Sequence, residues 1–306
     1  ALSLKRVENL FYKIGIFTNL TEDHLDFHKT FENYRKAKES LFFMTSKANI
    51  INIDDINVII ILENVKKLRV PCITYGINYD ATFKGEDVKL YDDKTVFTLK
   101  GPNNLKSEIT LNMVGQFTVY NVLAVICVCY VLNMDINETI EDISQLKSVS
   151  GRFEKVKNDK NLNIFVDYAH TPDALDNVLK SIKSFVKGKI ITVFGCGGNR
   201  EKEKRPIMGQ ISQKYSDLTI ITSDNPRYEN PEDIIKDILE GIDRSKDDYL
   251  IIEDRKEAIR ESIYRARKGD IILIAGKGHE NYQIVNDNIF EFDDKQVAKE
   301  IINEMN

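Results

Sequence analysis

"KIITVFGCGGNREKEKRPIMGQISQKYSDLTIITSDNPR", residues 189–227, decides the fold. An apolar, β-branched run (189–195) ends in glycine. A basic turn follows, then a helix-patterned stretch (206–216), then a second β-branched run (218–224). Neither run alternates polar with apolar. A strand that is apolar at consecutive positions is buried on both faces, as in a parallel sheet sandwiched by helices. The pattern recurs on either side: strands over 164–169, 249–254 and 270–276, and helices over 172–186, 231–242, 255–267 and 295–305, with a hairpin before the last helix. This predicts a doubly wound α/β domain from about Gly151 to the end. Ligands of such sheets sit at the carboxyl ends of the strands. Asp167, residues 195–200, 224–227 and 276–280 all follow strand ends, so one rim is predicted to carry them.

Upstream the pattern is looser. Strands are predicted at 13–20, 49–54 and 70–77, and a helix at 31–44 with Thr30 as its N-cap. Turn signals and alternation over 83–113 predict short antiparallel strands. A buried helix is expected at 115–134 and a short amphipathic one at 137–147. At roughly 100–200 residues per domain, 306 residues suggest two, here 1–148 and 149–306.

Composition narrows the function. The net charge of −5 gives no electrostatic reason to expect a nucleic-acid partner. The stretch "VLAVICVCYVL" (122–132) is too short for a membrane span, which needs about 20 residues. No CxxC pair occurs among Cys72, Cys127, Cys129 and Cys196, which argues for reduced thiols in a cytoplasmic protein and against structural zinc. The start, "ALSLKRVENL", has no signal-peptide layout and no initiating Met, so the chain is expected to begin inside a domain. No Walker-type phosphate loop and no GxGxxG fingerprint occurs.

Three places could carry chemistry. On a helical wheel for 31–42, Lys38 falls within the stripe of Phe31, Tyr34, Leu41 and Phe42. Either it snorkels to water along its own stem, or it is modified or faces a charged site. Just before it, "TEDHLDFH" (21–28) places His24 and His28 at helical zinc spacing, which is weak evidence alone. At 224–227, Asp224, Asn225, Pro226 and Arg227 form either a turn capping the next helix or a socket for a molecule with an amine and a carboxylate. Arg205, Gly276 and Glu280 are expected on the same rim.

Together, "ALSLKRV" (1–7), "FTNLTEDHLDFHKTFENYRKAKESLF" (17–42), "SGRFE" (150–154), "VDYAHTPDAL" (166–175), "FGCGGNREKEKRPIMG" (194–209), "SDNPR" (223–227) and "AGKGHENYQ" (275–283) resemble the Mur ligases. The resemblance implies an incomplete central ATPase domain, with the phosphate loop lying upstream of Ala1, followed by a Rossmann-like C-terminal domain. It implies an ATP-dependent amide ligase of peptidoglycan synthesis that adds meso-diaminopimelate to UDP-N-acetylmuramoyl-L-alanyl-D-glutamate through an acyl phosphate. Its cofactors would be ATP and Mg²⁺, the protein a cytoplasmic monomer, and this chain alone inactive. His24 would bind Mg²⁺, and Lys38 would be the lysine that CO₂ carbamylates. Arg6 would contact the UDP-muramoyl substrate, Asn121 the adenine, Arg152 the γ-phosphate and Asp167 the ribose. Arg205, Asp224, Asn225, Pro226, Arg227, Gly276 and Glu280 would bind the incoming amino acid. The alternatives are an L-lysine-adding ligase, another ligase of the superfamily and a non-catalytic substrate-binding fragment.

Overall fold

The computed structural model describes residues 1–7, 9–21 and 25–305. The chain divides into two compact units: Ala1–Lys89 with Lys94–Leu146, and Leu90–Asp93 with Lys147–Asn306.

The first unit runs β1 (Tyr12–Phe17), α1 (Leu25–His28), α2 (Phe31–Glu39), a 3-10 turn (Ser40–Met44), β2 (Thr45–Asn52), α3 (Val58–Lys66), β3 (Cys72–Gly76), β4 (Phe83–Leu90), β5 (Thr95–Gly101), β6 (Leu105–Leu111), α4 (Gln116–Val131) and α5 (Ile136–Gln145). The sheet order is β1-β2-β3-β4-β5-β6. β1, β2 and β3 are parallel, whereas β5 and β6 form an antiparallel pair. Successive side chains of a strand point to opposite faces, and β2 shows it. Ile50 packs with Val119, Leu123 and Ile126 of α4 on one face, and Ile51 with Tyr34, Val58 and Ile61 on the other. Thr30 caps α2 as expected, its hydroxyl accepting from the Asn33 amide at 3.2 Å.

Helix α3 had no counterpart in the sequence reading. Its buried residues are Val58, Ile61 and Val65, at helical spacing. Ile59 and Ile60 are exposed on the opposite side, so the run is apolar all round and its period is hidden.

The second unit runs β7 (Glu154–Lys155), β8 (Asn163–Asp167), α6 (Pro172–Lys183), β9 (Ile190–Phe194), α7 (Lys204–Tyr215), β10 (Leu218–Ile221), α8 (Pro231–Leu239), β11 (Tyr249–Ile251), α9 (Arg255–Arg265), β12 (Ile271–Ala275), the hairpin β13 (Tyr282–Val285) and β14 (Asn288–Glu291), and α10 (Asp294–Glu304). The sheet order is β11-β10-β9-β12-β8-β7, parallel except for the short edge strand β7. The chain moves outward from β9 to β11, and β12 returns between β9 and β8. The order therefore reverses beside β9 and β12, where doubly wound sheets open a crevice. Side-chain caps start α6, α8, α9 and α10. Thr171 and Asn230 accept from amides of the first turn ahead of Pro172 and Pro231, and Asp254 and Asp293 do the same for α9 and α10.

All four cysteines are free, with Cys127 and Cys196 buried. Among the described residues no helix is long and apolar enough to cross a membrane.

Candidate active-site surfaces

In the second unit the carboxyl ends of β8, β9, β10 and β12 lie side by side, and the loops after them carry the expected residues. Two close packings lock the loops together. A Cβ on Gly198 would sit 1.9 Å from the Pro226 carbonyl oxygen, so the loop after β9 presses on the backbone of residues 224–227. Gly278 has φ +54°, and a Cβ there would meet the Gly151 carbonyl oxygen at 2.6 Å and Tyr168 Cβ at 2.7 Å. The segments around Gly151, Tyr168 and Gly278 are therefore in direct backbone contact.

Asp224 and Asn225 are buried, at 7% and 2% exposure, where a charge and an amide must be held by partners. Asp224 Oδ1 accepts from the Asn225 amide at 2.6 Å, and Gln283 Nε2 donates to the Asp224 carbonyl at 2.7 Å. Asn225 Nδ2 donates to Glu280 Oε2 at 2.8 Å. Gly276, at φ +114°, leaves room for the Asp224 carboxylate, since a Cβ would meet its Oδ2 at 2.7 Å.

Arg227 occupies the left-handed region at φ +54° and is held there by the hairpin. Its amide donates to the Ile284 carbonyl at 3.0 Å, and its carbonyl accepts from the Asn286 amide at 2.7 Å. The guanidinium donates to the Gly198 carbonyl at 2.9 Å, and among the described residues no carboxylate pairs with it. The Arg200 side chain approaches the same glycine corner, for a Cβ on Gly197 would lie 2.8 Å from Arg227 Nη1 and 3.8 Å from Arg200 Cγ.

Arg205 is placed otherwise than expected. It is wholly buried in a carboxylate pair, donating to Glu229 at 2.9 and 3.0 Å and to Asp237 at 2.8 Å. The guanidinium holds the Glu229 carboxyl down to about 2. It braces the rim from within, and the exposed guanidinium of that loop belongs to Arg200, which the sequence reading did not single out.

Beside this corner, the Arg152 guanidinium lies 4.6 Å from the centroid of the Tyr168 ring, exposed to solvent. Asp167 is buried and accepts from the amides of Phe153 at 2.6 Å and Ala169 at 2.8 Å. Burial pushes its carboxyl up to about 6, against the pull of those amides and of Arg152. The bond to Phe153 fixes the backbone beside Arg152. Glu280 Oε1 accepts from the Tyr168 hydroxyl at 3.4 Å, linking this group to Asn225.

In the first unit Lys38 follows the first of its two sequence readings, reaching water from the apolar stripe. Lys38 is exposed, with its ammonium 5.2 Å from the Tyr34 ring, so the lysine is not desolvated within an apolar stripe. The buried charge of α2 is Glu39, paired with Arg35 at 2.7 Å and bonded to Asn64 at 2.6 Å. His24 lies outside the described residues. Among the described residues no group of three or more His, Cys, Asp or Glu is arranged to hold a metal. Arg6 and Asn121 are both exposed, Arg6 in a turn and Asn121 in the second turn of α4.

Residues 1–129 match the profile described as Mur ligase middle domain, and residues 151–278 match that of the Mur ligase glutamate ligase domain. The chain is 55% identical over 305 residues to a UDP-N-acetylmuramoyl-L-alanyl-D-glutamate–2,6-diaminopimelate ligase of Clostridioides difficile, spanning 100% of this chain and 63% of that protein. It is 47% identical over 307 residues to a protein of the same description from Clostridium acetobutylicum, spanning 62% of it. A solved structure under that description aligns at TM-score 0.65 and 34% identity, over 99% of this chain and 62% of that one. A pseudomurein peptide ligase type C from Methanothermus fervidus aligns at TM-score 0.72 and 19% identity, over 98% of this chain and 65% of that one, which speaks for the fold alone. The chain thus spans less than two thirds of the length of the two curated relatives.

Proposed function

The chain belongs to the Mur ligase family, and from that premise we propose that it forms part of an ATP-driven peptide ligase joining meso-diaminopimelate to UDP-N-acetylmuramoyl-L-alanyl-D-glutamate. One observation carries the choice of amino acid: the Arg227 guanidinium, which no carboxylate among the described residues neutralises, stands in the same loop as the buried acid Asp224 and beside the Asn225–Glu280 pair. Diaminopimelate ends in a second amino-acid group, with an ammonium and a carboxylate on one carbon. Asp224 and Glu280 suit the ammonium, and Arg227 suits the carboxylate in bidentate geometry. L-Lysine offers the ammonium only and would leave the guanidinium without its anion.

ATP supplies the phosphoryl group that activates the glutamate carboxylate of the dipeptide. The near amine of diaminopimelate then attacks the activated carbonyl, phosphate leaves with the C–O bond, and the amine proton passes to solvent or a neighbouring base. The rim of the second unit contributes position: it grips the far end of the amino acid so that the near amine is delivered in one orientation. Arg152 is the exposed cation suited to a phosphate. Asp167, with two amide donors already on its carboxylate, holds that segment in place and is the residue we assign to the ribose. Asn121 is assigned to the adenine and Arg6 to the UDP-muramoyl substrate. An unchanged KM for the matching substrate after alanine substitution in the complete enzyme would count against each assignment.

Among the described residues no group of three or more His, Cys, Asp or Glu is arranged to hold Mg²⁺. Lys38 is assigned as the carbamate that would partner His24, since its amine is exposed and open to CO₂. Incubation with ¹³C-bicarbonate should give a carbamate signal that Lys38→Ala removes; no such signal in the complete enzyme overturns the assignment.

Calorimetric titration of the 306-residue chain with each amino acid tests the main reading. Meso-diaminopimelate should bind at least about 30-fold more tightly than L-lysine, the lower bound for a charged group deprived of its partner. Equal affinity, or tighter lysine binding, would favour the lysine-adding alternative. No affinity for either would overturn the assignment of this rim to the amino acid.

A further inference from the structure

Lys277 lies in the loop after β12 and has no solvent exposure. A buried ammonium is costly unless it is paired and hydrogen-bonded. Here the ammonium donates to Asn225 Oδ1 at 3.3 Å and to the Tyr282 carbonyl oxygen, and Glu280 Oε2 lies 3.5 Å away as its ion-pair partner. These partners belong to the protein, and the ammonium is closed off from solvent. Burial pushes the ammonium's pKa down, while Asp224 and Glu280 oppose that shift.

The consequence falls on Asn225. Its Oδ1 accepts from two donors at once, the Lys277 ammonium and the Ile284 amide at 2.9 Å, and its Nδ2 donates to Glu280. A flipped amide would set its NH₂ against both donors, so only one orientation is allowed. The same ammonium anchors the first residue of the hairpin at Tyr282, and that hairpin keeps Arg227 in its left-handed backbone. One buried cation thus holds the amide, the acid and the strap behind the guanidinium.

Resting on the proposed diaminopimelate reading, we infer that Lys277 is a positioning residue for amino-acid recognition: without touching the ligand, it fixes Asn225, Glu280 and the hairpin in their binding arrangement. A merely structural lysine would lower stability without a selective loss of affinity. The test compares the unmodified 306-residue chain, Lys277→Met, and Ile263→Ala, a core truncation in α9 remote from the rim. Each is titrated with meso-diaminopimelate well below its own unfolding temperature. The dissociation constant should rise about tenfold or more in Lys277→Met and stay within about twofold in Ile263→Ala. Unchanged affinity in a folded Lys277→Met, or an equal loss in Ile263→Ala, overturns the inference. No binding by the unmodified chain overturns the diaminopimelate reading and this inference with it, whereas binding by that chain with no selective loss in Lys277→Met overturns the inference alone. Should Lys277→Met fail to fold, Lys277→Gln, which keeps a hydrogen-bond donor but no charge, is titrated in its place, and unchanged affinity in that folded variant overturns the inference.

Discussion

Arg227→Met should weaken meso-diaminopimelate binding about 30-fold or more, while L-lysine binding changes by no more than about twofold. Methionine keeps much of the stem and the left-handed backbone at φ +54°, so the change isolates the guanidinium. In the free protein that group rests on the Gly198 carbonyl at 2.9 Å, a contact it can exchange for a carboxylate without moving its Cα. A charge-assisted bidentate pair is among the stronger polar contacts a site can offer. The loss should therefore be confined to the ligand that carries a distal acid. Parallel titrations of the two amino acids check this. Equal weakening of both would show that Arg227 shapes the loop instead of reading the ligand.

Arg255→Met should destabilise the second unit by about 3–5 kcal/mol, the cost of leaving one member of a buried ion pair alone. Both side chains of the Arg255–Asp294 pair have 0% exposure, with two bonds of 2.7 Å joining guanidinium and carboxylate. The guanidinium also donates to the Ala275 carbonyl at 2.9 Å and lies 3.5 Å from the Ser223 carbonyl, directly behind Gly276 and Asp224. Removing it strands Asp294 without water and loosens two rim loops. Urea unfolding monitored in the second unit measures the loss. The double variant Arg255→Met/Asp294→Leu should recover most of it, since an apolar pair of similar volume needs no solvation. A loss below about 1 kcal/mol in the single variant would contradict this account of the rim's support.

The second unit was legible because its strands are β-branched at successive positions and two of its helices, α6 and α8, start at capped prolines. Asn230–Pro231 and Thr171–Pro172 are local signals that need no partner to be read. Partner choice is not local. Arg205 meets Glu229 and Asp237, 24 and 32 positions away, and no spacing announces that. A usable clue existed, for Arg205 shares the buried face of α7 with Met208, Gly209 and Ser212. The helix predicted over 31–44 is shorter, for α2 ends at Glu39 and a 3-10 turn follows. The stripe survives the break, since Tyr34 and Phe42 are buried in one cluster with Phe31 packed against it. Lys38 reaches water from its edge, and Glu39 is buried. Lys277 was passed over because a lysine between two glycines reads as exposed, and only the hairpin that folds over it makes it buried.

The central claim is that the rim of the second unit holds a zwitterion's far end through Arg227. The most direct measurement is a structure of the chain with meso-diaminopimelate bound. The account predicts the distal carboxylate within about 3 Å of the Arg227 guanidinium nitrogens, with the neighbouring ammonium facing Asp224 or Glu280. A complex in which Arg227 keeps its contact to Gly198 and another group binds the distal carboxylate would contradict it.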